Sequence, residues 1–270
     1  MQPDPTFSTE AELCAAAIEA LPEGWTAYNE TAGFDMVWVH DAGFQIAVEA
    51  KLVLNPKVLL QVLQGRRRMS PGPDFRAVLV GRVIAETALL ARALGITVLT
   101  LQADWQGPRR RNAEGPPRRI YHIRNGLPCV QEIKYPTNRH SWLDSEEWFD
   151  EAPEERLELP EYVPDVAAGV PAPTVMGDWK IKAMKVCIWL QRNHRITRAQ
   201  FKAMKINSSR WMNGYWLRKS ATRGVWEPGP KFPAEVFQRQ HPMIWSQIEA
   251  DYETWAESIP PAPPAQGALL

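Results

Sequence analysis

Residues 33–51, GFDMVWVHDAGFQIAVEAK, decide how the front half of this chain folds. Phe34–His40 and Phe44–Lys51 are apolar or alternating runs rich in β-branched and aromatic side chains, and Asp41-Ala42-Gly43 separates them as a three-residue loop. A hairpin symmetric about Ala42 sets His40 opposite Phe44, Trp38 opposite Ile46 and Asp35 opposite Glu49. Directly opposed side chains stand about 5 Å apart at Cβ, where like charges repel. The side-chain period of two adds Lys51 to the face that carries Glu49. Two carboxylates and an ammonium are therefore expected together on one side of the hairpin. A hard divalent cation, which takes oxygen ligands, would turn their repulsion into binding. An acid followed by Glu-x-Lys is by itself a common strand pattern, so the flanking elements have to be read with it.

Working outward, Ser8 or Thr9 caps a helix with acids in its first turn and an apolar stripe of Leu13, Ala16, Ala17, Ala20 and Leu21, which Pro22-Glu23-Gly24 ends. Trp25–Glu30 reads as a first strand. Beyond Lys51, Asn55-Pro56 is a cap followed by a proline at the first helical position, and a helix is expected over Lys57–Arg67. Pro71-Gly72-Pro73 breaks the chain before a buried strand, Arg76–Val80. Ala85–Leu94 is a helix with Gly95 just past its end, and Ile96–Leu101 is another apolar strand. The order α-β-β-β-α-β-α-β predicts an α/β fold with a mixed central sheet flanked by helices.

This order, with an acid at the start of the second strand, Glu-x-Lys at the end of the third and a glutamine on the next helix, resembles the PD-(D/E)XK nuclease superfamily across residues 8–102. That superfamily includes restriction endonucleases, Holliday-junction resolvases and RecB-type exonuclease domains. Asp35 matches the strand-two aspartate, with Phe34 where the name-giving proline would stand, and Glu49 and Lys51 match the (D/E)xK pair. Gln61 matches the helix glutamine of the resolvase- and RecB-like branch, with Gln64 its competitor one turn on, and Glu12 matches the glutamate some members carry on the first helix. The resemblance implies Mg²⁺ (or Mn²⁺) held by Asp35, Glu49 and the Ala50 carbonyl. It implies that Lys51 orients a metal-activated water or stabilises developing charge, and that Gln61 positions a phosphate or water. Each has a plainer reading: Lys51 as a screen for Glu49, Gln61 as a solvated helix residue, Glu12 as a first-turn acid answering the helix dipole.

From Trp105 the character changes. Arg109, Arg110, Arg111, Arg118, Arg119 and Arg124 interrupt a Gly/Pro-rich stretch, read either as a contact for a phosphate backbone or as a solvated tether. A run of acids from Asp144 to Glu161 follows, answered by Arg156, and then the Pro-rich segment LPEYVPDVAAGVPAPT at 159–174. The expected domains are a nuclease-like 1–104, a basic then acidic linker over 105–176, a helical 177–258 and a disordered tail over 259–270. In the third part Lys180, Lys182, Lys185, Arg192, Arg195, Arg198, Lys202, Lys205, Arg210, Arg218 and Lys219 are accompanied by Asp178 alone. Such uninterrupted like charge costs self-repulsion unless a polyanion offsets it. Helices are expected over Trp179–Asn193, from Thr197, and from Asn207-Ser208-Ser209 through Leu217, with 223–229 as a wing strand. That pattern resembles a winged helix or helix-turn-helix, with Ser208, Ser209, Arg210 and Asn213 at the DNA-reading end. A last helix is expected over Met243–Ala256.

The whole chain of 270 residues carries 31 basic and 31 acidic side chains, so the zero net charge conceals this segregation. Three widely spaced cysteines give neither a zinc pattern nor a disulfide framework, and no apolar run approaches a membrane span. A cytoplasmic protein with reduced thiols is expected, acting on DNA, with a homodimer or a protein partner open and no membrane association. The leading expectation is a Mg²⁺-dependent deoxyribonuclease with a C-terminal docking domain. The alternatives are a non-catalytic DNA-binding adaptor of a phage or mobile element that retains the fold, and a nuclease subunit active only within a larger complex. No phosphate-binding loop is present, so ATP-driven action would need a partner.

Overall fold

The computed structural model describes residues 7–66, 71–106, 118–124, 126–128, 148–169, 178–212 and 214–261. The chain divides into two compact units, 1–161 with 166–172 and 162–165 with 173–270.

The first unit runs α1 (Glu10–Glu19), β1 (Trp25–Thr31), β2 (Phe34–His40), β3 (Gln45–Val53), α2 (Pro56–Val62), β4 (Phe75–Arg82), α3 (Ala85–Ala93), β5 (Thr97–Gln106) and β6 (Arg118–Arg124). The six strands form one mixed sheet in sequence order. β1, β2 and β3 are antiparallel, β3, β4 and β5 parallel, and β6 antiparallel to β5. Parallel neighbours need a crossover, and α2 and α3 supply one each. In the β2–β3 hairpin Trp38 pairs with Ile46 and Met36 with Val48. His40 N donates to the Phe44 carbonyl at 2.9 Å. The next pair along this ladder is Asp35 with Glu49.

Alternation sorts the side chains into two layers. Met36, Trp38, Ile46, Val48 and Ala50 face Leu13, Cys14, Ala16 and Ala17 of α1. On the other face Val58, Leu59 and Val62 of α2 and Ala91 of α3 cover Val78, Val80 and Val98, and Phe34, Val37 and Ala47 meet Leu157 and Leu159. Glu49 pairs with Val78 of the α2-side layer, whereas Lys51 two residues on reaches Glu10 of α1, so the acids gather where these strands end rather than within one layer.

The segment expected as a linker from residue 105 onward contributes to the first unit. The Arg-containing stretch 118–124 is the sixth strand, since its alternate residues Tyr121 and Ile123 pack on the α1-side core. The acidic stretch is also tied down. Arg156 makes a two-pronged ion pair with buried Asp74 (2.8 and 2.9 Å), and buried Arg76 donates to Glu151 (3.1 Å). Gln45 exchanges two hydrogen bonds with the Leu157 backbone (2.9 and 3.0 Å). α2 stops at Val62, short of the expected Arg67, and the chain turns through Gly65 at φ +75°.

The second unit comprises α4 (Asp178–Asn193), β7 (Ile196–Thr197), α5 (Arg198–Ala203), β8 (Leu217–Lys219), β9 (Val225–Pro228), α6 (Ala234–Gln240), α7 (Pro242–Ala250) and α8 (Tyr252–Ala256). The strands form an antiparallel sheet in the order β7-β9-β8. Thr197 and Gln200 build a reciprocal capping box at α5. Among the described residues of 207–217 a single short turn stands in place of the expected third helix. Asn207 caps a single 3₁₀ turn, Ser208–Arg210, after which Gly214 takes φ +83° and Leu217 opens β8. The cap was legible, but nothing local continues the helix past that turn. The helix expected over 243–256 is two, divided at Asp251. Among the described residues no helix is long and apolar enough to cross a membrane.

Candidate active site

Asp35 lies between two acids. The pairs Asn29–Met36 and Thr31–Phe34 set Glu30 of β1 across from it on one side, and the hairpin register sets Glu49 of β3 across from it on the other. Its Oδ2 accepts a hydrogen bond from Ala50 N at 2.8 Å, which anchors the carboxylate against β3. Glu49 is only 4% exposed. Burial, then the charge of Asp35 and a hydrogen bond with it, push the Glu49 carboxyl up to about 8, against the pull of Lys51. Burial and Asp35 raise Glu30 as well, with a partial offset from the Gly169 amide that donates to it at 3.1 Å. At neutral pH the Glu49 carboxyl therefore holds its proton, which relieves a repulsion the fold imposes.

Lys51 leaves this pair for α1: its Nζ stands 2.5 Å from Glu10 Oε2, with both side chains about one third exposed. Burial works to lower the ammonium pKa, but Glu10, Asp35 and Glu49 outweigh it, and the net shift is upward. The first-helix acid that reaches the site is thus Glu10, whereas Glu12 accepts from Ser8 N (2.9 Å) and Ser8 Oγ (2.6 Å) and completes the α1 cap. Two residues of helix turn the side chain by about 200°, so Glu10 and Glu12 cannot share a face. Cys14, one turn after Glu10, is buried, and its thiol is pushed up to about 12 by burial and by Asp35, Glu10 and Glu30. That makes it an inert packing residue.

Gln61 sits on α2, the helix covering the Glu49 face, and its Oε1 is buried with no hydrogen-bond partner. That oxygen is thus available to accept from a water or a ligand. Gln64 is exposed, and its carbonyl accepts from Arg76 at 3.0 Å. Among the described residues no three His, Cys, Asp or Glu side chains close into a ready cage for a metal ion. Asp35 and Glu49 nonetheless suit a hard divalent cation: both are oxygen donors, and the proton on Glu49 is what such an ion would displace.

In the second unit, Ser208, Ser209 and Arg210 lie on the solvent-facing 3₁₀ turn. Arg109, Arg110, Arg111 and Asn213, expected as nucleic-acid contacts, lie outside the described residues. A shallow concavity lined by Asn193, His194, Arg195, Arg218, Glu227 and Pro228 adds basic groups beside β8 and β9.

Sequence reasoning missed Glu30 and Glu10. Glu30 had a signal: Ala32-Gly33, both at positive φ, is a two-residue turn whose register sets Glu30 against Asp35. For Glu10 none existed, because the choice between two acids on one helical turn depends on how α1 rolls on the sheet. Comparison with known protein families, curated proteins and solved structures finds no match.

Proposed function

We propose that the first unit is a Mg²⁺-dependent deoxyribonuclease of the PD-(D/E)XK type and that the second docks it on DNA. The observation that carries this reading is geometric: buried Glu49 stands beside Asp35, whose Oδ2 is fixed by Ala50 N at 2.8 Å, two carboxylates side by side. Asp35 and Glu49 would hold the ion, with Ala50 contributing its carbonyl. When bound, Mg²⁺ supplies a water of lowered pKa and neutralises charge on the phosphate under attack. The protein's own groups do the rest. Lys51 donates hydrogen bonds to the attacking water or to the pentavalent phosphate, Glu10 keeps the ammonium charged and aimed, and Gln61 offers its unmet carbonyl oxygen to the water.

The docking role of the second unit is supported by its basic surface and by a strand order, β7-β9-β8, compatible with a winged helix. Ser208, Ser209 and Arg210 are the candidate contacts, on a turn in place of a full recognition helix. The test is cleavage of supercoiled, linear, single-stranded and branched DNA in Mg²⁺ and in EDTA. Cutting by the wild type in Mg²⁺ alone, abolished by Glu49→Ala, is expected. Equal cutting by both proteins, or none by either, ends the proposal.

A further inference from the structure

Half of the large apolar side chains that the described residues leave exposed fall within one short stretch of chain. Of ten, Leu60, Val83, Ile84, Leu89 and Leu90 are five, with Leu60 and Leu89 each 71% exposed. Leu60 is on α2, Leu89 and Leu90 are on α3, and Val83 and Ile84 lead into α3. Both helices cover the same sheet core, so their outward sides belong to one face. α3 buries only Ala91 fully and turns its two leucines outward. A single exposed leucine needs no explanation, whereas several on the outward side of one layer mark a docking surface.

The sequence of α3 indicates its occupant. In an antiparallel pairing of two α3 helices about a two-fold axis through Leu89, residues equally far before and after it come opposite each other. Four residues away, Ala85 meets Ala93 of the other copy, small against small, which allows close approach. Three away, Glu86 meets Arg92, acid against base, on the same outward side as Leu89. Glu86 and Arg92 are exposed, and neither makes an ion pair among the described residues. A helix that is self-complementary in size and in charge about one residue is suited to an isologous contact. Val83 and Ile84, which lead into the same helix, add exposed apolar surface at its start.

We propose that the α2–α3 face is the interface of a homodimer, centred on Leu89 and oriented by reciprocal Glu86–Arg92 pairs. The proposal is independent of the nuclease reading, since it is tested by association. Sedimentation velocity of the full chain over a concentration series should show a reversible monomer–dimer equilibrium. Leu89→Glu sets two carboxylates on the axis and should weaken association at least ~100-fold, with the melting temperature of the monomer kept because Leu89 is exposed. Glu86→Arg and Arg92→Glu each replace two attractive pairs by two repulsive ones and should weaken it about tenfold. The double variant Glu86→Arg/Arg92→Glu restores the pairs and should return to within a few-fold of wild type. A wild type that stays monomeric throughout, single variants that associate like wild type, or a double variant as weak as the singles would each overturn the proposal. Capture of a different protein by this face with no self-association would overturn it too.

Discussion

Two sets of buried charges lie in the first unit, and they are built on opposite principles. Around Asp74 and Arg76 every charge is matched. Asp74, 5% exposed, receives both prongs of Arg156 and the Gln45 amide, and Arg76, 3% exposed, binds Glu151 and the carbonyls of Val62 and Gln64. Around Asp35 the charges are mismatched. Three acids from three adjacent strands face one another, and the one nearby ammonium is claimed by a fourth acid on α1. Matched buried charges secure a fold once made, because losing one partner strands the other. A mismatched set is retained at a cost in stability, and such sets gather where chemistry is done.

The largest effect that would sharpen this contrast is on the matched side. Arg76→Ala leaves Glu151 with Arg66 alone (3.0 Å) and strips two carbonyls of their donor, and a loss of about 3 kcal/mol in unfolding free energy is expected by urea titration. On the mismatched side the sign reverses. The Glu49 carboxyl has its ordinary value of 4.5 in the unfolded chain and about 8 in the fold, so the folded state binds the extra proton between those limits. Its contribution to stability is fully present below 4.5 and is lost as the pH rises through 8. Metal-free protein should therefore melt progressively lower from pH 5 to pH 9, Glu49→Gln should flatten that slope, and Mg²⁺ should restore stability at the alkaline end. A slope unchanged in Glu49→Gln would break the contrast.

A smaller effect is expected at Glu10. Glu10→Gln frees Lys51 while leaving Asp35 and Glu49 in place, so cleavage should fall by about tenfold with little change in substrate binding. Glu12→Gln should leave cleavage unchanged, which separates the two acids of α1. Smallest is Thr9→Ala, which removes the 3.1 Å cap on Glu12 N and should cost ~1 kcal/mol in stability without touching activity.

The mismatched set was largely legible in the sequence because its geometry is local. One three-residue loop and a period of two fix the register that brings Asp35 to Glu49. The matched set was not legible at all. Glu151 and Arg76 stand 75 positions apart, and Arg156 and Asp74 stand 82 apart. A run of acids looks the same whether it is solvated or answered by arginines from another strand. For the same reason β6 passed as a basic tether: its pairing with β5 follows a connection whose residues carry no hairpin signal. The third helix of the second unit failed differently, since its cap formed while the residues after it turned into a strand.

Gln45 presents its side-chain amide to Leu157 as one peptide group presents itself to another, giving and taking a hydrogen bond. The stretch around Leu157 is thereby held across the face of the hairpin, over Phe34, Val37 and Ala47, and Arg156 beside it closes over Asp74. The smallest autonomous fragment of the front unit thus cannot end where its last strand does. Cut after Arg124, the chain would present Asp74, Arg76, Gln45 and the Phe34–Val37–Ala47 cluster to water as raw surface, and the fragment would be expected to aggregate.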